Sequence, residues 1–302
     1  MKVLATGLNF PEGPVAMPDG SILVSEISSG TIRRVWGDGR TEVIATTGGG
    51  PNGAALGPEG RLYVCNNGGT KHMRRDGWYR PIGIADDYGG GRIEVVDLKT
   101  GKVERLYERC GEHPLKGPND IVFDGTGGFW FTDTGKHYDR YHDHGGVYWA
   151  KADGTEIREV IYPLNRPNGI GLSPDSKTLY VAETPQARLW AWEVSGPGKV
   201  RKLPWPSNIG GRLAGGMAGV ERFDSLKVTA SGRVCVATIT GGGIAEIFPD
   251  TATVRHHPMP DMHVTNLCFG GADMRTAWIT FSQSGWLVEM RWHEAGLKLH
   301  FN

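Results

Sequence analysis

The most restrictive feature of this 302-residue sequence is one phrase written six times along the chain. Each copy opens on or beside a polar residue, runs through a short apolar stretch, turns on Gly, Pro, Asp or Ser, and continues as a second apolar strand. The copies are "PEGPVAMPDGSILVSE" from Pro11, "PNGAALGPEGRLYV" from Pro51, "PNDIVFDGTGGFWF" from Pro118, "PNGIGLSPDSKTLYV" from Pro167, "FDSLKVTASGRVCVAT" from Phe223 and "VTNLCFGGADMRTAWITF" from Val264. Their turns carry the residues that hairpin loops require. Such self-similarity points to repeated copies of one supersecondary unit.

The registers agree. Eleven positions lead from Glu12 to Leu23, Asn52 to Tyr63, Asn119 to Trp130 and Asp224 to Cys235; twelve lead from Asn168 to Tyr180 and from Asn266 to Trp278, where the turn is longer. Side chains alternate faces along a strand. Equal spacing therefore predicts equivalent orientations for Glu12, Asn52, Asn119, Asn168, Asp224 and Asn266.

Further strand-like stretches lie between the phrases, among them "GTIRRVWGDG", "GGRIEVVDLKTGK", "GGVYWAKADGTE" and "ARLWAWEVSGPGK". They bring each unit to four strands in roughly 40 to 65 residues, the size of a propeller blade. The expected architecture is all-β, a six-bladed β-propeller with a central channel, occupying residues 1–302 as one domain, in preference to a pair of β-sandwiches. Forty-six glycines for turns and ten tryptophans for a core suit that reading. Residues 66–90 are extra to the second unit, and long loops gather on the end faces of a propeller, so this segment is expected to form a lid or substrate wall.

Lys plus Arg and Asp plus Glu balance at 33 each, which leaves no overall basic field for nucleic acid or an anionic membrane. No run of about 18 apolar residues suggests a spanning helix, and "MKVLATGLNFPEGP" lacks the features of a secretory signal. Cys65, Cys110, Cys235 and Cys268 show no CxxC spacing and read as reduced thiols, with a disulfide between two of them left open. A cytoplasmic location is expected; the oligomeric state is left open.

If the first strand of each blade lines the channel, the polar residues at their starts converge at one mouth. Glu12 and Asp224 would raise each other's pKa there unless a divalent cation neutralised them. Asn oxygens and water complete an all-oxygen shell, and with no thiolate or imidazole in the ring, Ca2+, Mg2+ or Mn2+ is expected. An open site of this type suits polarisation of a carbonyl or phosphoryl oxygen and activation of water, hence ester or lactone hydrolysis.

Taken in order from residue 11 to about residue 280, "PEGPV", "PNDIVFDGTGGFWFTD", "PNGIGLSPDSKTLYVAE", "FDSLKVTASGRVCVAT" and "TNLCFGG" resemble the serial motifs of the senescence-marker-protein, gluconolactonase and luciferin-regenerating-enzyme family. The resemblance implies a six-bladed propeller with one divalent metal at its central channel and, in many members, opening of sugar lactones. It implies Glu12, Asn168 and Asp224 as metal ligands, with Asp224 also the general base. Asn119 would contact substrate or the metal's outer shell, and Asn52 is carried as a binding residue. Ca2+ is the expected ion, with Mg2+, Mn2+ or Zn2+ as alternatives, and a small lactone or ester the expected partner. Two other readings keep the site: a phosphotriesterase-type hydrolase, and a non-enzymatic calcium- or ligand-binding propeller.

One position departs from the family pattern. Sugar-lactone members often carry Arg two residues before the motif Asn, where this chain has Gly117 in "KGPND", beside Lys116. The departure leaves room for a bulkier or less hydroxylated lactone, with Met73, Trp78 and Tyr79 as candidate apolar contacts. His137, His142 and His144 in "HYDRYHDHGG" suggest a second metal site, a proton relay or, in preference to the metal site, a solvated hairpin loop. "GGGPNG" at residues 48–53 precedes a strand and is no nucleotide fingerprint, and no GxSxG is present. His263 reads as a buried structural histidine ahead of a substrate contact. Arg74, Arg75 and Arg80 read as a solvated loop ahead of an anion site.

Overall fold

Each of the six phrases becomes the two inner strands of one antiparallel sheet, and the six sheets form a β-propeller in the computed structural model, which describes residues 1–301. The inner strands of blades one to six are Pro11–Ala16, Pro51–Leu56, Pro118–Phe123, Pro167–Leu172, Phe223–Val228 and Val264–Gly270. Inner strands are wrapped by neighbouring blades, so Pro118–Phe123 is buried throughout, whereas an outer strand such as Thr253–Pro258 mixes exposed and half-buried positions. The N-terminal strand Lys2–Ala5 closes the ring as the outer strand of blade six, pairing antiparallel with Trp286–Arg291 (Lys2 opposite Glu289, Val3 opposite Val288). No helix among the described residues is long and apolar enough to cross a membrane.

The apolar core lies between blades. Tyr63 of blade two meets Phe123 of blade three edge to face at 5.0 Å between centroids, with Phe129 and Phe131 beside them, and the Tyr63 hydroxyl donates to Ala152 O at 3.0 Å. Buried Trp130 and Trp149 both donate to Asp124 Oδ2, at 3.1 and 2.8 Å, so the Asp of that turn also satisfies two indoles. Cys65, Cys235 and Cys268 are buried in these layers, and all four cysteines are free thiols. At the far end of the channel, Leu297 and Leu299 of the C-terminal segment cover an apolar floor that includes Ile121, Ile170 and Leu226. One mouth is therefore polar and open, and the other apolar and covered.

A bulge near the start of every inner strand sets the ring. The register slips between Glu12 and Val15, Pro51 and Ala54, Pro118 and Ile121, Pro167 and Ile170, Phe223 and Leu226, and Val264 and Asn266. Bulges re-aim side chains at strand ends. Cross-strand partners align the blades: Val15 faces Leu23, Ala55 faces Tyr63, Val122 faces Trp130, Gly171 faces Tyr180, Lys227 faces Cys235 and Cys268 faces Trp278. Three positions before the inner partner stand Glu12, Asn52, Asn119, Asn168, Asp224 and Thr265. The expectation for Asn266 is corrected by one residue. Every inner strand carries the same bulge, so the difference lies in the turn: Cys268 and its partner Trp278 are two positions further apart than Val15 and Leu23, not one, which places Thr265 in the ring and Asn266 one step deeper, level with Gly13, Gly53, Asp120, Gly169 and Ser225.

That deeper level explains the glycine in "PEG" and "PNG". Gly13 has φ 51°, and a Cβ there would lie 2.2 Å from Asn52 O; at Gly53 it would lie 2.4 Å from Asn119 O. Adjacent inner strands converge at the mouth only because these side chains are absent.

Candidate functional site

Glu12, Asn52, Asn119, Asn168, Asp224 and Thr265 all line one open cleft of about 1040 Å³ at the polar mouth, and all six are buried. The structure thus brings together every ring residue expected from sequence except Asn266, whose place Thr265 takes. Thr265 contributes a hydroxyl that pairs with Thr280 Oγ1 at 2.9 Å and with Ser282.

The two carboxylates share a desolvated space. Burial, more than any other cause, raises the Glu12 pKa to about 7, while hydrogen bonds from Asn266 and the Gly13 amide oppose the rise. Asp224 is pushed well above the usual carboxylate range by burial and then by the charge of Glu12. Asn52 Oδ1 and Asn119 Oδ1 are buried and have no hydrogen-bond partner among the described residues. Asn168 is held by Thr184 Oγ1, 3.3 Å from its Nδ2, and by Ser225 Oγ, 3.5 Å from its Oδ1. Two acids that resist ionisation, with unpartnered carbonyl oxygens beside them, are a donor set that fits a hard divalent cation.

Beneath the ring the channel is plugged by charge. Lys227 Nζ reaches Asp120 Oδ2 at 3.5 Å and Asn266 Oδ1 at 3.3 Å, and Asn266 Nδ2 donates to Glu12 Oε2 at 2.8 Å. Neither Asp120 nor Lys227 stands out in the sequence: Asp120 directly follows Asn119, which already fills the ring place of its strand, and Lys227 is a single polar residue between Leu226 and Val228.

The insertion does wall the cleft, but with other residues than expected. Its hairpin, Thr70–Arg75 paired with Trp78–Ile84, presents Thr70, His72 and Arg80 to the cleft, together with Pro81, Ile82 and Ile84. Met73 and Trp78 are exposed near the hairpin tip, and Tyr79 is buried against Phe10 and His72 with its hydroxyl on Asn9 Oδ1 at 2.9 Å. Burial lowers the His72 pKa to about 4, and its Nε2 has no partner. Lys136 pins the hairpin's base, donating to Asn67 O at 2.5 Å, and burial lowers its pKa to about 8.

Gly117 lies where no side chain fits: a Cβ would be 2.7 Å from Gly135 O and 2.9 Å from Thr134 Oγ1. Lys116 turns away to Asp143 Oδ1 at 2.6 Å. Arg74 covers the Tyr79 ring at 5.1 Å and Arg75 pairs with Asp76 at 3.6 Å, both outside the cleft. His263 lines the cleft with a buried, unpartnered Nδ1, which favours the substrate-contact reading over a structural one. His137 and His142 stack at 6.2 Å between centroids in a loop and gather no carboxylate among the described residues.

A separate trio, Glu246, His257 and His293, has metal-ligating atoms within 4.8 Å of one another. Arg233 Nη1 already occupies it, 3.1 Å from Glu246 Oε1 and 3.3 Å from His293 Nε2. Despite its burial the Glu246 carboxyl is held below its usual pKa by hydrogen bonds from His257 and Arg233. A fixed cation thus stands where a dication would need to be.

A family model described as SMP-30/Gluconolactonase/LRE-like region matches residues 10–283. A gluconolactonase of Zymomonas mobilis is 25% identical over 295 residues, covering 89% of this chain and 76% of its own length. A gluconolactonase structure from Xanthomonas campestris superposes with a TM-score of 0.74 at 23% identity, covering 96% of this chain and 88% of its own. The calcium-binding protein regucalcin from Agrobacterium tumefaciens superposes at 0.71 with 18% identity, covering 99% of this chain and 97% of its own.

Proposed function

Because this chain belongs to the SMP-30/gluconolactonase/LRE-like family, we propose that it is a divalent-metal-dependent hydrolase that opens a lactone at the polar mouth of the propeller channel. The observation that carries the reading is the meeting of Glu12 and Asp224 in one buried ring, both with raised pKa, beside unpartnered oxygens of Asn52 and Asn119. Glu12, Asn168 and Asp224 would hold the cation, Ca2+ in first place, in keeping with the calcium-binding neighbour. When bound, the ion supplies positive charge for an acyl oxygen and lowers the pKa of water.

The chain's own residues do the rest. Asp224 takes a proton from the attacking water as its oxygen bonds to the acyl carbon. The ring C–O bond then breaks, the ring oxygen leaves as a hydroxyl carrying that proton, and the product is a hydroxy acid. Asn119 and Asn52 orient the substrate through their amides, and the walls restrict water to the cleft.

The test is hydrolysis of aldonolactones, aromatic lactones and aryl esters by chelator-stripped protein, alone and restored with Ca2+, Mg2+, Mn2+ or Zn2+. Turnover is expected only with metal, and Asp224→Ala should lower it by about 10²- to 10⁴-fold while the fold persists. Unchanged turnover in Asp224→Ala removes the base. Thermal stabilisation by Ca2+ with no ester consumed at any pH would identify a binding protein instead.

A further inference from the structure

The residue just before each inner strand forms a second tier above the ring: Phe10, Gly50, Gly117, Arg166, Arg222 and His263. Its character is lopsided. Blades two and three contribute glycine, whereas blades four, five and six contribute two guanidiniums and an imidazole, all three lining the cleft. Arg80 of the hairpin joins them. Burial lowers the His263 pKa, and the charges of Arg80 and Arg222 lower it further, so these groups share one stretch of wall.

These cations have no anion of their own. Ion pairs of the described residues engage Arg33, Arg92, Arg233 and others, but none involves Arg80, Arg166 or Arg222. Among the described residues the only acids lining the cleft are Glu12 and Asp224; the charge of Asp224 reaches Arg166 without an ion-pair contact, and on the reading above both acids are committed to the metal. Lys136 is the fourth cation there, but its ammonium is taken up by Asn67 O and Gly69 O. Arg166 holds a left-handed backbone, φ 53°, directly before a proline, as does Phe10 (φ 57°) at the same place in blade one, so this entry to the inner strand is a feature of the fold that fixes where the Arg166 side chain starts. Arg166 O accepts from Thr184 N at 3.2 Å, and its half-buried side chain lines the cleft.

We propose that the substrate carries an ionised oxyanion, a carboxylate or a phosphate, on the skeleton of its lactone, and that Arg166 and Arg222 clamp it while Arg80 reaches it from the hairpin. Guanidinium forks match such groups with paired N–H donors; Arg166 is half-buried and Arg80 and Arg222 are exposed, so the clamp meets its anion at the open side of the cleft, where a concave wall focuses the attraction. The oxyanion lies toward blades four and five, and the rest of the substrate toward the side of Gly50 and Gly117. This inference rests on the hydrolytic reading for its choice of reaction, but the clamp is testable without turnover.

The experiment compares matched pairs: D-glucono-1,4-lactone with D-glucaro-1,4-lactone, and D-glucono-1,5-lactone with its 6-phosphate. The charged member of one pair should have a kcat/KM about 100-fold above its neutral partner, and which pair shows it distinguishes carboxylate from phosphate. Arg166→Met and Arg222→Met should each lower that ratio about ten-fold or more, with Arg166→Lys recovering part of it. Ratios near one, or ratios untouched by both substitutions, overturn the clamp. If no lactone is opened, the hydrolytic reading fails, and calorimetry of D-glucarate, D-gluconate and 6-phospho-D-gluconate decides the clamp alone. Tighter binding of D-glucarate or 6-phospho-D-gluconate than of D-gluconate, lost in Arg166→Met, upholds it, and equal affinities overturn it.

Discussion

Asn266 Nδ2 donates a 2.8 Å hydrogen bond to Glu12 Oε2, joining residues 254 positions apart across the seam where blade six meets blade one. The amide cannot turn over without loss, because Asn266 Oδ1 already accepts from Leu267 N at 2.8 Å and from Lys227 Nζ at 3.3 Å. Glu12 is thus oriented from beneath by a residue outside the ring, as outer partners orient metal ligands elsewhere.

Asn266→Ala should therefore weaken Ca2+ binding by about 10- to 100-fold while the propeller stays folded. Isothermal titration of the chelator-treated variant checks this. Wild-type affinity would show that Glu12 is positioned without Asn266.

Glu12 titrates near 7 in the folded chain against an ordinary value of 4.5. The metal-free fold therefore holds an extra proton over that interval and loses stability as pH rises through it. A dication that takes the proton's place reverses the trend. The gain in melting temperature on adding Ca2+ should widen from pH 5 to pH 8, and a constant gain across that range would place the ion away from Glu12.

Gly117→Arg should not create a sugar-lactone site. Its Cβ would press on Gly135 O, a backbone atom that cannot step aside, and such overpacking costs about 1–3 kcal/mol. Denaturant unfolding should show that loss with no gain in aldonolactone turnover.

Closure by Lys2–Ala5 gives a further prediction. Removing residues 1–5 takes away the outer strand of blade six and the buried Leu4, leaving the edge of Trp286–Arg291 unpaired. The truncated protein should melt earlier and self-associate through that edge, read by thermal shift and size-exclusion chromatography.

Much of this was legible in the sequence, because period-two strands, Gly-rich turns and a repeated polar residue report blade number and ring together. The sixth ring position was not: Thr265 and Asn266 are both polar, and the pairing of Cys268 with Trp278, which sets the true length of the turn, decides between them. Arg166 stands beside its motif, but nothing in the sequence separates it from any other loop cation, since its place on the cleft wall and its lack of an ion-pair partner exist only in three dimensions. Met73 and Trp78 misled because they lie toward the hairpin tip, beyond the cleft, although Met73 is the cross-strand partner of cleft-lining Arg80, and residue type does not report how far along a hairpin the cleft extends.

The most direct measurement is an anomalous-difference map from crystals soaked in Mn2+ at neutral pH. One peak bounded by Glu12, Asn168 and Asp224, lost in Asp224→Ala, is the expected result. An empty ring, with or without a peak at Glu246, His257 and His293, would contradict it.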